Sequence, residues 1–414
     1  DLDRAVLRIL KARFELGEMD PEESVSWNSI PRELLASDQH HELALKMARE
    51  TMTLLQNRNN ALPLKKDAKY AVVGPNAADS LVLWGNYNGI PRKTITVLEG
   101  IQAKVGAENV VYAKGCEIAA KAVDEGRYSE TEGNYHDEAL SRTSGAETAS
   151  ATDLSMFDDV DAIIFVGGLS PKLEGEEMRV NFKGFKGGDR TSIELPETQR
   201  AYIQELKKTG KPIIFVHLSG SAVALAPEAE ACDAILQGWY AGQAGGEAVA
   251  DVLFGDYNPA GRLPVTFYAS DADLPDFGDY DMPGHTYRYF KGKPLFPFGH
   301  GLSFSKFKYR RARLSDGVLR IKVKNRGKMD GDEVVQVYVK KADDVDGPVM
   351  SLRGFKRVHV KAGKKAVVEI PLSAENIDLF NPETGKMEAA SGKYIVYYGG
   401  TSDITKLRKL KLTI

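Results

Sequence analysis

Three carboxylates fall within four positions in Leu173-Glu174-Gly175-Glu176-Glu177-Met178, shortly after the apolar run Ala162-Ile163-Ile164-Phe165-Val166. Like charges this close repel, so a solvated loop is the plain reading. Two features favour chemistry. The segment lies beyond the C-terminal end of a predicted buried strand, where ligand groups collect in open α/β sheets. It also precedes Gly184-Phe185-Lys186-Gly187-Gly188-Asp189-Arg190, a glycine-rich stretch suited to a loop reaching over a neighbour. A carboxyl in such a crowd, partly shielded by an aromatic wall, can hold its proton near neutral pH and serve as a general acid.

Other motifs carry less. Gly74-Pro75-Asn76-Ala77-Ala78-Asp79 follows a strand but is neither a dinucleotide fingerprint nor a P-loop. Ser219-Gly220-Ser221 also follows a strand, but it lacks the flanking glycines of a nucleophile elbow and reads as a helix cap. The seven histidines include the neighbours His40-His41 but no zinc-binding pattern. In Asp344-Val345-Asp346-Gly347, Ala342 and Arg353 occupy the first and twelfth positions of a calcium loop, so an acidic turn is expected. No metal and no cofactor is expected.

The elements that would position the acidic loop follow from periodicity. Residues 1–62 read as a helical connector. Leu2, Val6, Ile9 and Leu10 recur at helical spacing, and a second helix after Ser37-Asp38 places Leu43, Met47, Thr51, Leu54 and Leu55 on one face. Over 63–268, Tyr70–Val73, Val110–Tyr112, Ala162–Val166, Ile213–Val216, Ala234–Leu236 and Leu263–Phe267 read as strands between amphipathic helices. Continuous apolar strands with helical crossovers predict an α/β fold, an open α/β sandwich whose mostly parallel sheet carries helices on both faces. Residues 117–160 are a polar excursion, and 269–300 a Pro/Gly/Asp-rich linker. Alternating runs such as Leu319–Val323, Val334–Val339 and Tyr394–Tyr398 then predict an antiparallel β-sandwich over 301–414.

Composition excludes several classes. With 414 residues, 55 basic against 58 acidic side chains and a net charge of −3, the chain is no globally basic nucleic-acid binder. At 43% hydrophobic and 27% charged it has a globular composition. No apolar run is long enough to span a membrane. Two cysteines, Cys116 and Cys232, make no disulfide framework. The start, Asp1-Leu2-Asp3-Arg4, has neither an initiator Met nor a leader and reads as the continuation of a longer chain.

Several long runs resemble the C-terminal half of glycoside hydrolase family 3, the β-glucosidases and β-xylosidases. They are Ala48–Asn57 through Leu62-Pro63-Leu64, Gly238–Gly246 leading into Phe254–Pro264, Tyr287-Arg288-Tyr289-Phe290, and Pro297–Phe304. The resemblance covers essentially the whole chain. Physically these runs are glycine and Asn-Pro turns, a helix and aromatic anchors, so no catalytic role is assigned to them.

The resemblance implies an α/β sandwich and a fibronectin type III-like domain that follow a (β/α)8 barrel. It also implies retaining hydrolysis by an aspartate on that barrel and a glutamate acid/base on a sandwich loop. Retention requires the two carboxyls ~5–5.5 Å apart. Family loops of the form Gly-Glu-Gly, spacer, Gly-Asp-Arg align with Gly175-Glu176-Glu177 and Gly188-Asp189-Arg190. Glu176 is therefore expected as acid/base, with Glu174 and then Glu177 as alternatives, while Asp189 and Arg190 are expected to fix the loop by an ion pair.

The barrel, its nucleophile and most sugar contacts are absent, so sugar-binding residues stay unassigned and the chain alone is expected to be inactive. Implied partners are a β-linked oligosaccharide or an aryl or alkyl glycoside and the chain's own N-terminal barrel. Trp84-Gly85-Asn86-Tyr87-Asn88-Gly89-Ile90-Pro91 looks closer to the β-xylosidase branch. The family's habits imply a periplasmic or secreted home. A competing reading is a non-catalytic carbohydrate-binding or adhesive module, with Trp84, Trp239 and Tyr287 lining a groove.

Overall fold

Five apolar runs form the parallel part of a six-stranded sheet, whose order puts every strand end needed by the acidic loop on one edge. The computed structural model describes residues 1–122, 154–175, 180–187, 189–373, 377–381, 384–388 and 391–413. The chain divides into two compact units, Asp1–Ala44 and Leu45–Ile414. In the first, helix α1 (Leu2–Glu15) carries Asp3 in its first turn and Arg13 in its last, matching the helix dipole. None of its residues is buried. Helix α2 (Asp38–Thr51) runs from the first unit into the second.

The second unit opens with β1 (Thr53–Asn57), β2 (Tyr70–Val73), β3 (Val110–Ala113) and β4 (Ala162–Gly168). A small hairpin follows, β5 (Phe185–Lys186) with β6 (Asp189–Arg190), then β7 (Ile213–Leu218) and β8 (Ala234–Gln237). The sheet order is β1-β8-β7-β4-β2-β3. All neighbours are parallel except β1, which runs antiparallel to β8. Helices α3 (Val97–Val105), α4 (Glu197–Lys207), α5 (Ala226–Ala231) and α6 (Gly245–Leu253) complete the layers.

Strand alternation builds a core on each face. Val72, Ile164, Val166, Ile214, Val216 and Leu236 meet α3 and α6 through Val97, Ile101, Val249 and Val252. Ala71, Val73, Ile163, Phe165, Phe215 and Ile235 meet Tyr202, Ile203 and Leu206 of α4. This is the open α/β sandwich expected from the strand pattern.

Helices α3 and α6 approach so closely that a Cβ on Gly246 would lie 2.1 Å from the Thr96 carbonyl oxygen, and one on Gly100 would lie 2.3 Å from that of Gly246. Backbone cannot retreat as a side-chain tip can. Gly246→Ala should therefore lower the unfolding free energy by roughly 1–3 kcal/mol in urea titrations.

Two expectations need correction. The second helix stops at Thr51, and Leu54 and Leu55 belong to β1. Leu54 is buried in one core and Leu55 in the other, because neighbouring strand residues face opposite sides of a sheet. A sequence apolar on both faces mimics a helical stripe. Among the described residues Leu263–Phe267 joins no sheet, and Phe267 makes an isolated antiparallel bridge to Phe296.

The remainder is an antiparallel β-sandwich. One sheet holds β9 (Phe307–Tyr309), β10 (Arg313–Ser315), β11 (Val318–Asn325) and β14 (Lys365–Pro371). The other holds β12 (Gly331–Lys341), β13 (Ser351–Val360), β17 (Lys393–Gly399) and β18 (Arg408–Thr413), with a separate hairpin of β15 (Leu379–Asn381) and β16 (Lys386–Glu388). Leu319, Ile321, Val323, Val335, Val337, Tyr394 and Val396 interleave between the sheets.

The Asn258-Pro259 turn ties this sandwich to the α/β layer. Asn258 donates from Nδ2 to the Asp330 carbonyl at 2.9 Å and accepts from Ser303 Oγ at 2.7 Å and from the Phe304 N–H at 2.9 Å. Arg262 donates to Glu333 at 3.0 Å, with both side chains nearly enclosed.

Candidate active site

β4 ends at Gly167-Gly168, and the chain passes into the loop 169–175. Leu173, fully buried beside Ile118 and Ala119, fastens the loop from below. The Ser170 carbonyl accepts from the Leu173 N–H at 2.8 Å and the Glu174 N–H at 3.1 Å, giving a tight turn that sets the direction of Glu174.

Glu174 is held from three sides. The Gly220 N–H donates to Oε2 at 3.0 Å, the Tyr240 hydroxyl donates to the same oxygen at 2.5 Å, and the Ser221 hydroxyl donates to Oε1. All three partners come from loops after other parallel strands, β7 and β8, as the strand order requires. In this arrangement Glu174 accepts only. Burial, reinforced by the neighbouring Glu174 carboxylate, raises the Tyr240 phenol well above its usual range, so it stays a donor at any physiological pH. Asn86 adds a weaker bond from Nδ2 to the Glu174 carbonyl at 3.4 Å.

Glu176 and Glu177 lie outside the described residues. Asp189 and Arg190 form β6, where Asp189 is exposed. The Arg190 guanidinium turns to backbone, donating to the carbonyls of Ser192 at 3.1 Å, Ala222 at 2.9 Å and Glu194 at 3.2 Å. It also donates to Ser221 Oγ at 3.1 Å. Arg190 thus joins the β6 end of the loop to the turn that grips Glu174, through carbonyls and a hydroxyl.

Sequence reasoning passed over Ser221, Gly220 and Tyr240. Ser219-Gly220-Ser221 is not a helix cap: α5 begins after Leu225, which makes no side-chain capping bond. The available signal was the position of both segments just after apolar strands. Tyr240 also borders an open cleft of about 650 Å³ lined by Met47, Ala48, Trp239, Arg262 and Pro264.

Of the three aromatics expected to line a binding groove, only Trp239 lies on that cleft. The Trp84 indole donates to Thr94 Oγ1 at 2.8 Å, and Tyr287 stacks on Phe298 with ring centroids 4.2 Å apart. Among the described residues, no group of three His, Cys, Asp or Glu side chains is disposed to hold a metal ion, and no helix is long and apolar enough to cross a membrane.

An open α/β sheet with a clamped acidic loop past its strand ends, joined to an antiparallel β-sandwich, places candidate ligand groups at the sheet's C-terminal edge. The chain belongs to glycoside hydrolase family 3. The family's C-terminal domain matches residues 52–304, and a fibronectin type III-like domain matches residues 333–402.

A xylan 1,4-β-xylosidase of Xylanibacter ruminicola is 37% identical over all of this chain and 62% of its own length. A β-xylosidase of Formosa agariphila is 33% identical over all of this chain and 55% of its own. The solved structure of a β-glucosidase from Erythrobacter marinus is 31% identical with a TM-score of 0.77, covering 99% of this chain and 55% of that one. The chain therefore spans a little over half the length of these relatives.

Proposed function

We propose that this chain supplies the general acid/base of a retaining exo-β-glycosidase acting on a β-xyloside or β-glucoside, with Glu176 as proton donor and Glu174, then Glu177, as alternatives. The observation that carries the reading is the anchoring of the acidic loop at the C-terminal edge of the parallel sheet by three donors on Glu174. Anchoring one carboxylate as an acceptor leaves the next acidic residues along the chain for proton transfer. The nucleophilic aspartate belongs to a (β/α)8 barrel preceding this chain. The relatives' names support a xyloside or glucoside as substrate. An exported enzyme, periplasmic or secreted, fits a substrate class found outside the cell, and one relative is named a periplasmic β-glucosidase.

With only one carboxyl of the pair, protonation has no matching attack on the sugar's opposite face. The 414-residue chain should show no turnover of an aryl β-glucoside or aryl β-xyloside. Adding a family barrel domain should restore hydrolysis, and Glu176→Gln should then lower it by roughly a hundredfold on substrates with poor leaving groups. Robust turnover by the chain alone would overturn the reading. Loss at Glu174→Gln with Glu176→Gln active would move the donor to Glu174.

A further inference from the structure

The Ser219–Ser221 turn after β7 grips Glu174, and something must hold the turn. Beneath it lies Gln237 at the end of β8, fully buried. Its amide nitrogen donates to the Ser219 carbonyl at 3.3 Å and to the Ser219 hydroxyl at 3.1 Å. The Ser219 hydroxyl in turn donates to the Ser221 carbonyl at 2.8 Å. With both N–H groups committed to Ser219, Gln237 presents its oxygen to His217 Nδ1. The imidazole therefore carries its proton on Nδ1, and burial keeps it neutral, with its pKa down to about 4. Its Nε2 has no hydrogen-bond partner among the described residues.

Two neutral polar side chains at the ends of adjacent central strands are costly occupants of sites that aliphatic residues would fill more stably. What a connected buried network offers instead is a single orientation. Here the chain of bonds runs from His217 through Gln237 and Ser219 to the turn that aims the Gly220 N–H and the Ser221 hydroxyl at Glu174. Arg190 braces the same turn from the side through Ser221 and Ala222.

We propose that Gln237 and His217 are positioning residues that fix the Ser219–Ser221 turn and, through its grip on Glu174, set where the acidic loop stands; the catalytic consequence rests on the function proposed above.

Two readouts separate the brace from that function. The first is amide hydrogen exchange in the 414-residue chain. Gln237→Leu and Ser221→Ala should each speed exchange over residues 170–175 by about tenfold, the worth of one hydrogen bond, while β4 and β7 keep their protection. Ser221→Thr, which keeps the hydroxyl, should restore the parent rates. Should Gln237→Leu fail to fold, Ser219→Ala removes the hydroxyl that Gln237 holds and makes the same test. Unchanged exchange in the loop overturns the proposal.

The second readout uses the chain combined with a barrel domain. The same variants should lower kcat about tenfold on an alkyl glycoside with KM unchanged, and spare a dinitrophenyl glycoside, whose leaving group needs little protonation. Equal losses on both substrates would mean general damage and overturn positioning. An unsubstituted assembly that is inert, with the exchange result intact, sinks the proposed function and leaves the brace standing.

Discussion

Lowering the pH from 7 to 4 should remove about 6 kcal/mol of folding stability, through two histidines kept neutral inside the fold. His217 is fully buried against Gln237 and Phe215. His300 is 9% exposed, donates from Nε2 to the Leu55 carbonyl at 2.9 Å and stacks on Phe296. Burial holds both imidazoles down to about 4 from their usual 6.5. In the unfolded chain each takes up a proton near pH 6.5; in the folded chain neither does so until about pH 4. Between those values the unfolded state binds more protons, so stability is complete above pH 6.5 and falls as pH falls, by about 3 kcal/mol per histidine.

Asp256, Asp332 and Asp403, whose folded pKa values are depressed, add their losses only below the ordinary aspartate range. Within the window from 6.5 to 4 the histidines lower stability, while Glu228, whose carboxyl burial raises, works in the opposite direction, so the histidine share is read from their variants. Urea unfolding at pH 7, 5.5 and 4 reads the slope directly. His300→Gln, which keeps a donor for Leu55, should roughly halve it. A flat profile would mean that the imidazoles protonate within the fold.

The second large effect is expected at Arg200 on α4. Its guanidinium donates to Glu228 at 2.7 Å and to Glu194 at 2.8 Å, and Glu228 is fully buried on α5. Burial raises the Glu228 carboxyl, and Arg200 is the main force opposing that rise. Arg200→Leu strands an ionised carboxylate in the core and should cost about 3–5 kcal/mol at pH 7. The pH dependence should run opposite to that of the histidines. A carboxyl whose folded pKa is raised binds more protons folded than unfolded, so the variant should regain stability, relative to the parent, as pH falls toward 5. Replacing both groups, as in Arg200→Leu with Glu228→Gln, should recover most of the loss, because no buried charge is left unpaired. A double variant as damaged as the single one would locate the cost in packing instead.

Much of this architecture is legible in the chain. Tyr70–Val73, Ala162–Val166 and Ile213–Val216 are short, apolar and β-branched, and such runs have few alternatives to a buried parallel strand. The sandwich strands announce themselves by strict alternation, as in Leu319, Ile321 and Val323. β1 was hidden because Leu54 and Leu55 serve opposite cores, which erases the alternation that marks a half-buried strand. At the site, the clustered carboxylates of residues 174–177 were visible from their types alone. Their partners were not. Ser221 lies 47 positions from Glu174 and Tyr240 lies 66, and only the strand order brings them together. His217 and Gln237 fell just past the apolar runs Ile213–Val216 and Ala234–Leu236 and drew no reading, because nothing local distinguishes a polar side chain that meets a partner on the next strand from one facing water.

The marginal strand β1 has a consequence for association between copies. Beyond its pairing with β8, two of its carbonyls are already claimed: Leu54 accepts from the Leu302 N–H at 2.7 Å and Leu55 from His300, while the adjoining Met52 carbonyl accepts from the Gly261 N–H at 3.1 Å. A foreign strand seeking to extend the sheet there finds its docking rail occupied by the protein's own connector. Assembly on that side is thereby shifted toward side chains, so surface composition weighs more than main-chain templating in how such molecules meet.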